Sequence, residues 1–332
     1  MKTIVWIIAV MLAILLGVFA AFYFWARQGS LPVDAHVSLR IDSMRVESRL
    51  AVTDSVFSVM TYNIGYLSGM TNNEAVQRDS ALFQSNLRDA AALLVALAPD
   101  VVCVQEIDYG SRRSYCVDQE VALADGAYPF VARAVNWDKR YVAFPYWPPS
   151  AHFAKVVSGQ SVLSRFPIVS HAVDTLATVA SAPFYYRAFY LHRLAQIAKL
   201  EVLGREVMII NVHLEAFDRN TRQQHTERVL QLYRQYADRY PTIMLGDFNS
   251  SPDEADPTIN TILRENLRTV DLGDVFDIPY TYNSESPSSR LDYIFYSDAL
   301  ELVEGRVAVE AGQISDHLPV WAAFRFANPS GQ

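Results

Sequence analysis

Ile4 to Ala26, IVWIIAVMLAILLGVFAAFYFWA, is a run of 23 residues without a charge, set between Lys2 and Arg27. At about 1.5 Å per residue a helix of this length spans roughly 35 Å, enough for a bilayer core of about 30 Å. A secretory signal peptide is the rival reading. Its apolar region is normally about 7–15 residues long and ends at a small-x-small cleavage site, whereas this run continues through Phe22, Tyr23, Phe24 and Trp25. The sequence therefore predicts an uncleaved transmembrane anchor over residues 1–27, with Tyr23 and Trp25 near one interface. Lys2 and the amino terminus favour an inside N-terminus, while Arg27, Arg40 and Arg45 pull the other way. Large domains translocate regardless of such charges. The reading is a single-pass protein of the plasma or inner membrane with an extracytoplasmic domain.

Without Lys2 and Arg27, the 28 Lys and Arg fall to 26 against 36 Asp and Glu, a formal charge of −10. Such a surface repels polyanions unless a local basic patch compensates, which argues against duplex DNA as substrate. Of the two cysteines, Cys103 lies inside the apolar run VVCVQE and reads as a packed small hydrophobe, so no disulfide framework is indicated.

Residues 28–52 read as a juxtamembrane linker, and 53–328 as one domain, since large α/β folds run to this length as single units. Phe57 to Asn63 reads as a strand. Val76, Phe83, Leu87, Ala90, Leu94 and Leu97 follow at helical spacing, and DVVCVQE is again a strand. The second half repeats the rhythm: strand EVMIINVHLE, a helix marked by Val229, Leu232, Tyr233 and Tyr236, and strand TIMLGDFN. Two such halves fit an α/β fold of two sheets packed face to face with helices outside. Asn136 to Phe153, NWDKRYVAFPYWPPSAHF, holds six aromatics and three prolines, which predicts a long loop. It serves either as a satellite hydrophobic cluster or as a substrate-binding or membrane-touching wall.

Several apolar strands end on polar chemistry: Asn63 in MTYNIG, Glu106 in VQEID, His213 in NVHLE, Asp247 and Asn249 in GDFN. Asp292 in RLDYIFYS and the pair Asp316 and His317 in ISDHLPVW continue the pattern. If these strand ends share one rim, the carboxylates, amides and imidazoles converge on one pocket, and uncompensated acids there imply a cation. Mg²⁺ fits best, with Mn²⁺ as the other candidate. Mg²⁺ takes one or two carboxylates together with waters and phosphate oxygens, whereas zinc asks for a denser His/Cys set. The chain has no H-E-x-x-H helix, no paired Cys-x-x-Cys, no nucleophile elbow and no Walker loop.

Taken in order, Asn63, QE at 105–106, NVHL, GDFNSSP, LDYIFYS and SDH resemble the endonuclease/exonuclease/phosphatase superfamily of DNase I-like phosphoesterases, over about residues 56–326. The resemblance implies a four-layer α/β sandwich and hydrolysis of a phosphoester by in-line attack of water. It further implies that Glu106 ligates the metal with Asn63 beside it and Asp316 near a metal position. Asp247 and Asn249 would position the water and the phosphate. His213 would contact a phosphate oxygen or assist the leaving group, and His317 would pair with Asp292 as a second imidazole. Inositol polyphosphate 5-phosphatases carry Cys-Asp-Arg where this chain has Leu291, Asp292 and Tyr293. GDFNSSP and LDYIFYS are similar to deadenylase-like nucleases, while a sphingomyelinase-like lipid phosphodiesterase would account for the anchor and the aromatic loop. The substrate thus stays open among lipid, nucleotide and nucleic acid. The expected partners are that phosphoester and, through the N-terminal helix, a lipid bilayer; no protein partner is indicated. The alternative outside enzymology is a catalytically dead binding module on the same fold, which loss of a site residue would favour; every one is present.

Overall fold

The computed structural model describes residues 2–42, 55–265, 267–270 and 280–327. The end of the juxtamembrane segment, 43–52, and the expected domain limits at 53 and 328 lie outside the described residues. Helix α1 (Lys2–Ala26) is long and apolar enough either to cross a membrane or to serve as a signal sequence, and its most apolar stretch, of mean hydropathy 2.9, is not covered by the described residues.

Among the described residues thirteen strands follow, in two mixed sheets. β1 (Val37–Ile41), β2 (Val56–Asn63), β3 (Val101–Asp108), β4 (Phe130–Val142) and β5 (Ala154–Ser164) join β12 (Leu300–Val307) and β13 (Val320–Phe326) in the order β1-β4-β5-β3-β2-β13-β12. β6 (Ile168–Thr175), β7 (Leu194–Val202), β8 (Arg205–His213), β9 (Thr242–Asp247), β10 (Arg268–Thr269) and β11 (Asp292–Tyr296) form the other, in the order β10-β11-β9-β8-β7-β6. The two sheets pack face to face. The period of two in β8 shows how: Val207 and Ile209 belong to the core between the sheets, while Met208, Ile210 and Val212 pack with Val229, Leu232 and Tyr233 of the helix Arg219–Ala237. On the outside of the first sheet the helix Ser80–Leu97 presents Phe83, Ala90, Leu93 and Leu94. Four layers result.

The helices Ser80–Leu97 and Arg219–Ala237 are each started by an aspartate. Asp79 accepts from Leu82 N, so the helix begins at Ser80 and leaves Val76 in the preceding loop; Asp218 accepts from Thr221 N in the same way. The long loop expected from Asn136 is shorter than the sequence predicts. β4 continues to Val142, paired with β5 through two register shifts, and only 143–153 is irregular. All three prolines, Pro145, Pro148 and Pro149, come after Val142, so nothing in Asn136–Val142 blocks a ladder. Trp137 and Phe153 are buried in a small cluster with Val142 and Val156, whereas Trp147 is exposed.

Candidate active site

Parallel strands require a crossover, which leaves their carboxyl ends together on one rim. In the first sheet the parallel pair is β2 and β3, with Asn63 opposite Gln105. In the second it is β8 and β9, with His213 opposite Asp247. The antiparallel neighbour β11 starts at Asp292, also opposite Asp247, and the turn before β13 carries Asp316 and His317. The two rims meet: Asn63 Nδ2 donates across the sheets to Asp247 Oδ2 at 2.9 Å.

Local backbone choices aim these side chains. Gly246, at φ +143°, runs so close to β8 that a Cβ would lie 2.0 Å from the Val212 carbonyl oxygen, so only glycine lets β9 reach the rim there. Asn249 follows with φ 51° and donates its backbone N–H to Asp247 Oδ1 at 2.8 Å, an Asx turn that fixes the carboxylate. The register of β3 against β5 shifts between Val104 and Ile107, and Glu106 within it has φ 50°. That bulge takes Glu106 out of the strand's alternation.

The structure brings all eight expected residues into one linked group. His213 Nε2 lies 3.5 Å from Asp247 Oδ2 and 3.7 Å from Glu106 Oε1. His317 Nδ1 and Asp292 Oδ2 are 2.9 Å apart, and His317 Nε2 is 3.8 Å from Asp247 Oδ2. Asn249 donates Nδ2 to Leu214 O at 3.0 Å and, at 3.4 Å, to Asp247 Oδ2. On the other side Asn72, a residue the sequence reading missed, donates Nδ2 to Glu106 Oε2 at 3.0 Å and faces both Asp316 oxygens at 3.3 Å. Beneath the rim, Gln105 Nε2 donates to Asn211 Oδ1 at 2.6 Å, and Asn211 Nδ2 to Gln196 Oε1 at 2.9 Å, so the sheets are joined by buried amides where the site stands.

Burial, and then the neighbouring Asp316, raise the Glu106 carboxyl above its usual range. Asp247 is pushed up to about 7 by burial, against the pull of His317 and with Asp292 adding to the rise. Burial alone would depress His317, but Asp292 and Asp247 outweigh it and hold the imidazole well above its ordinary value. His213 goes the other way: burial, then Arg193 and His317, keep it well below. Asp247, Asp292 and His317 each offer a ligand atom within 4.8 Å of the others and could hold a metal as a buried group. Two of the three are already hydrogen-bonded to one another, however, whereas the side-chain hydrogen bonds to Glu106 and Asp316 come from the uncharged Asn72 and Ser315.

Arg193 is the second residue missed. It precedes β7, whose Leu194 lies opposite His213, so the register sets it beside the rim. Its guanidinium is buried, with Nε 3.8 Å from Glu215 Oε2 and neither Nε nor Nη1 hydrogen-bonded, and its charge acts on both Glu106 and His213. With Glu215, Tyr186 and Tyr190 it lines a small open cavity. Nothing marks Arg193 in the sequence beyond a lone cation at a strand start, and Asn72 beside Asn73 reads as turn chemistry.

Two mixed sheets back to back, with acids, amides and imidazoles gathered on their common rim, define a phosphoesterase fold. Residues 60–317 match the Endonuclease/Exonuclease/phosphatase family, and the chain belongs to it. Among solved structures the chain is similar to an endonuclease/exonuclease/phosphatase from Beutenbergia cavernae (24% identity, TM-score 0.63, 82% of this chain and 72% of that one). It is also similar to a mannosyl-6-phosphatase of Bacteroides thetaiotaomicron (19%, TM-score 0.58, 81% and 100%) and to the human Nocturnin catalytic domain with bound sulfate (18%, TM-score 0.57, 90% and 100%). No curated protein matches the chain.

Proposed function

We propose that this chain is a membrane-anchored, Mg²⁺-dependent phosphoester hydrolase that cleaves by in-line attack of water. The observation that carries the reading is the double-sided hold on Asp247: Asn63 and Asn249 fix its carboxylate while His213 and His317 face it at 3.5 and 3.8 Å. A carboxylate clamped in this way accepts a proton from water along a fixed direction, as the water oxygen bonds to phosphorus and the bond to the leaving oxygen breaks. Asn249 acts by securing that carboxylate and the strand end, since its amide hydrogens are already directed at Leu214 O and Asp247.

His317, held by Asp292, keeps Nε2 free to donate to a phosphoryl oxygen, and the carboxylate fixes the ring's tautomer. His213 stands between Glu106 and Asp247, placed to contact a phosphoryl or leaving-group oxygen. Arg193, buried with two unpartnered nitrogens, is suited to a further phosphoryl oxygen. Glu106 and Asp316 would hold the cation, with the second lone pair of Asn63 Oδ1 as an amide donor beyond its bond from Gly65 N. The donor set fits a hard ion, since all the candidate atoms are oxygens and the two acids share the uncharged amide of Asn72. Bound there, the ion supplies neutralisation of charge developing on the phosphoryl oxygens.

Helix α1 would anchor this domain in a bilayer. The test is hydrolysis by the purified full-length chain of chromogenic phosphomonoesters and phosphodiesters with Mg²⁺. Turnover of either supports the proposal, and failure on both, together with a panel of lipid, sugar and nucleotide phosphates, would leave the chain as a binding module.

A further inference from the structure

The last turn of α1 is not joined to the domain by a slack tether. Ala26 is buried, and the Phe22 ring meets Tyr141 at 5.7 Å. Tyr23 meets Phe184 at 6.4 Å and Phe189 at 5.6 Å. Beyond the helix, Gln28 O accepts from Arg140 N, and the Asp138 carboxylate accepts from Ser30 N and Leu31 N at 2.7 and 2.8 Å. At Gly29 a Cβ would lie 2.6 Å from Asp138 Oδ2, so a side chain there would displace the carboxylate from Ser30 N and Leu31 N. The orientation of the domain about α1 is therefore fixed.

Phe22 and Tyr23 belong to the charge-free run, so the end of β4 at Tyr141, which leads into loop 143–153, and the 176–192 segment stand at the depth where that run ends. Those loops are built for such a place. Residues 143–153 and 176–192 contain no Asp or Glu in a chain with 36 of them; Arg187 lies within the second, and Lys139 and Arg140 at the end of β4 and Lys155 at the start of β5 flank the first. They also display aromatics outward: Tyr146 is 76% exposed, Trp147 77%, Phe184 69% and Tyr185 58%. Aromatic rings mixed with cations and free of acids match a headgroup layer, where amphipathic rings settle and anionic lipids attract Lys and Arg. The cavity lined by Tyr186, Arg187, Tyr190, Arg193 and Glu215 joins the second segment to Arg193, whose charge acts on Glu106 and His213.

From this juxtaposition we infer that loops 143–153 and 176–192 form a bilayer-docking face, which holds the mouth of the active site at headgroup depth. The substrate class is then the phosphoester of a lipid headgroup in the membrane that carries α1. This rests on the reading of α1 as a membrane span and of the site as a phosphoester hydrolase.

The experiment uses full-length protein in vesicles of phosphatidylcholine, phosphatidylethanolamine, phosphatidylglycerol and phosphatidic acid, with bromine-labelled acyl chains as quenchers. The Trp147 emission, isolated by subtracting a Trp147→Phe variant, should be quenched at least twofold by bromolipid and shielded from aqueous iodide. Quenching by iodide and not by bromolipid overturns the docking face, whatever the enzyme does. In the same vesicles, phosphorus released from the lipids should exceed that from a matched Asp247→Asn sample at least tenfold. Intact lipids with a soluble chromogenic diester still cleaved would overturn the lipid assignment alone, while loss of both would strike the hydrolase reading instead.

Discussion

The two sheets follow one plan, a central parallel pair with its crossover through a long helix, yet their rims treat charge differently. On the first, Glu106 and Asp316 face each other across Asn72, an uncharged amide, and the fixed cation acting on Glu106 from outside the imidazole pair is Arg193. On the second, Asp292 is matched to His317 at 2.9 Å, and Asp247 has two imidazoles and two amides around it. Residues 316 and 317 are adjacent in the chain but serve opposite sides, the carboxylate turned to the first rim and the imidazole to the second. The difference teaches a division of labour. A rim short of positive charge is a place for a cation, and a rim already neutral within itself is a place for moving a proton and meeting an oxyanion.

Asp247 stands where the rims meet, so its loss should be the most damaging. Asp247→Asn keeps the size but turns one of the two accepting oxygens into a donor and removes the carboxylate, and kcat on a chromogenic phosphodiester should fall on the order of 10⁴-fold, the upper end for a positioned base. A fall below tenfold with the melting temperature unchanged would move the proton acceptor elsewhere. His317→Gln removes one member of the second rim, and a fall of about 10²–10³-fold is expected.

The rims separate more sharply in metal binding. Mg²⁺ at 100 times its dissociation constant should stabilise the wild-type protein by about 2.7 kcal/mol through mass action, read as a rise in melting temperature. Glu106→Gln should abolish that rise while His317→Gln keeps it. The reverse pattern would put the ion on the Asp247, Asp292 and His317 group instead.

The smallest effect belongs to a histidine on neither rim. Burial pushes the His171 imidazole down to about 4, so between pH 6.5 and 4 the unfolded chain binds a proton that the native one refuses. Stability contributed by neutral His171 is thus present above about pH 6.5 and lost as pH falls through that window. His171→Gln should flatten this slope in a pH series of melting curves and leave kcat within about twofold; a large loss of kcat would contradict the boundary drawn around the site.

Much of this site is legible in the sequence because the chemistry interrupts the period of two. Asn63, His213 and Asp247 each end an apolar strand at a position where burial would otherwise select a hydrophobe. Asn72 and Arg193 are not legible in that way, since each sits in a connection, where polar residues are ordinary, and owes its place to contacts far along the chain. β4 was hidden for a related reason: three prolines clustered after Val142 colour the composition of the whole stretch 136–153, although Asn136–Val142 contains none. Composition averages over a window, whereas a ladder is broken only at the residue that cannot donate. The buried amides Gln105, Asn211 and Gln196 look in sequence like errors in apolar strands and become sensible only when the facing sheet is present.

On the proposed function, phosphoester hydrolysis at the joined rims requires a cation at Glu106 and Asp316. The most direct test of that requirement is turnover of a chromogenic phosphodiester by the full-length protein in excess EDTA, followed by titration with Mg²⁺ or Mn²⁺. The account predicts no turnover under chelation and recovery with added metal, and no recovery in Glu106→Gln at concentrations that saturate the wild type. Undiminished turnover in EDTA would contradict it.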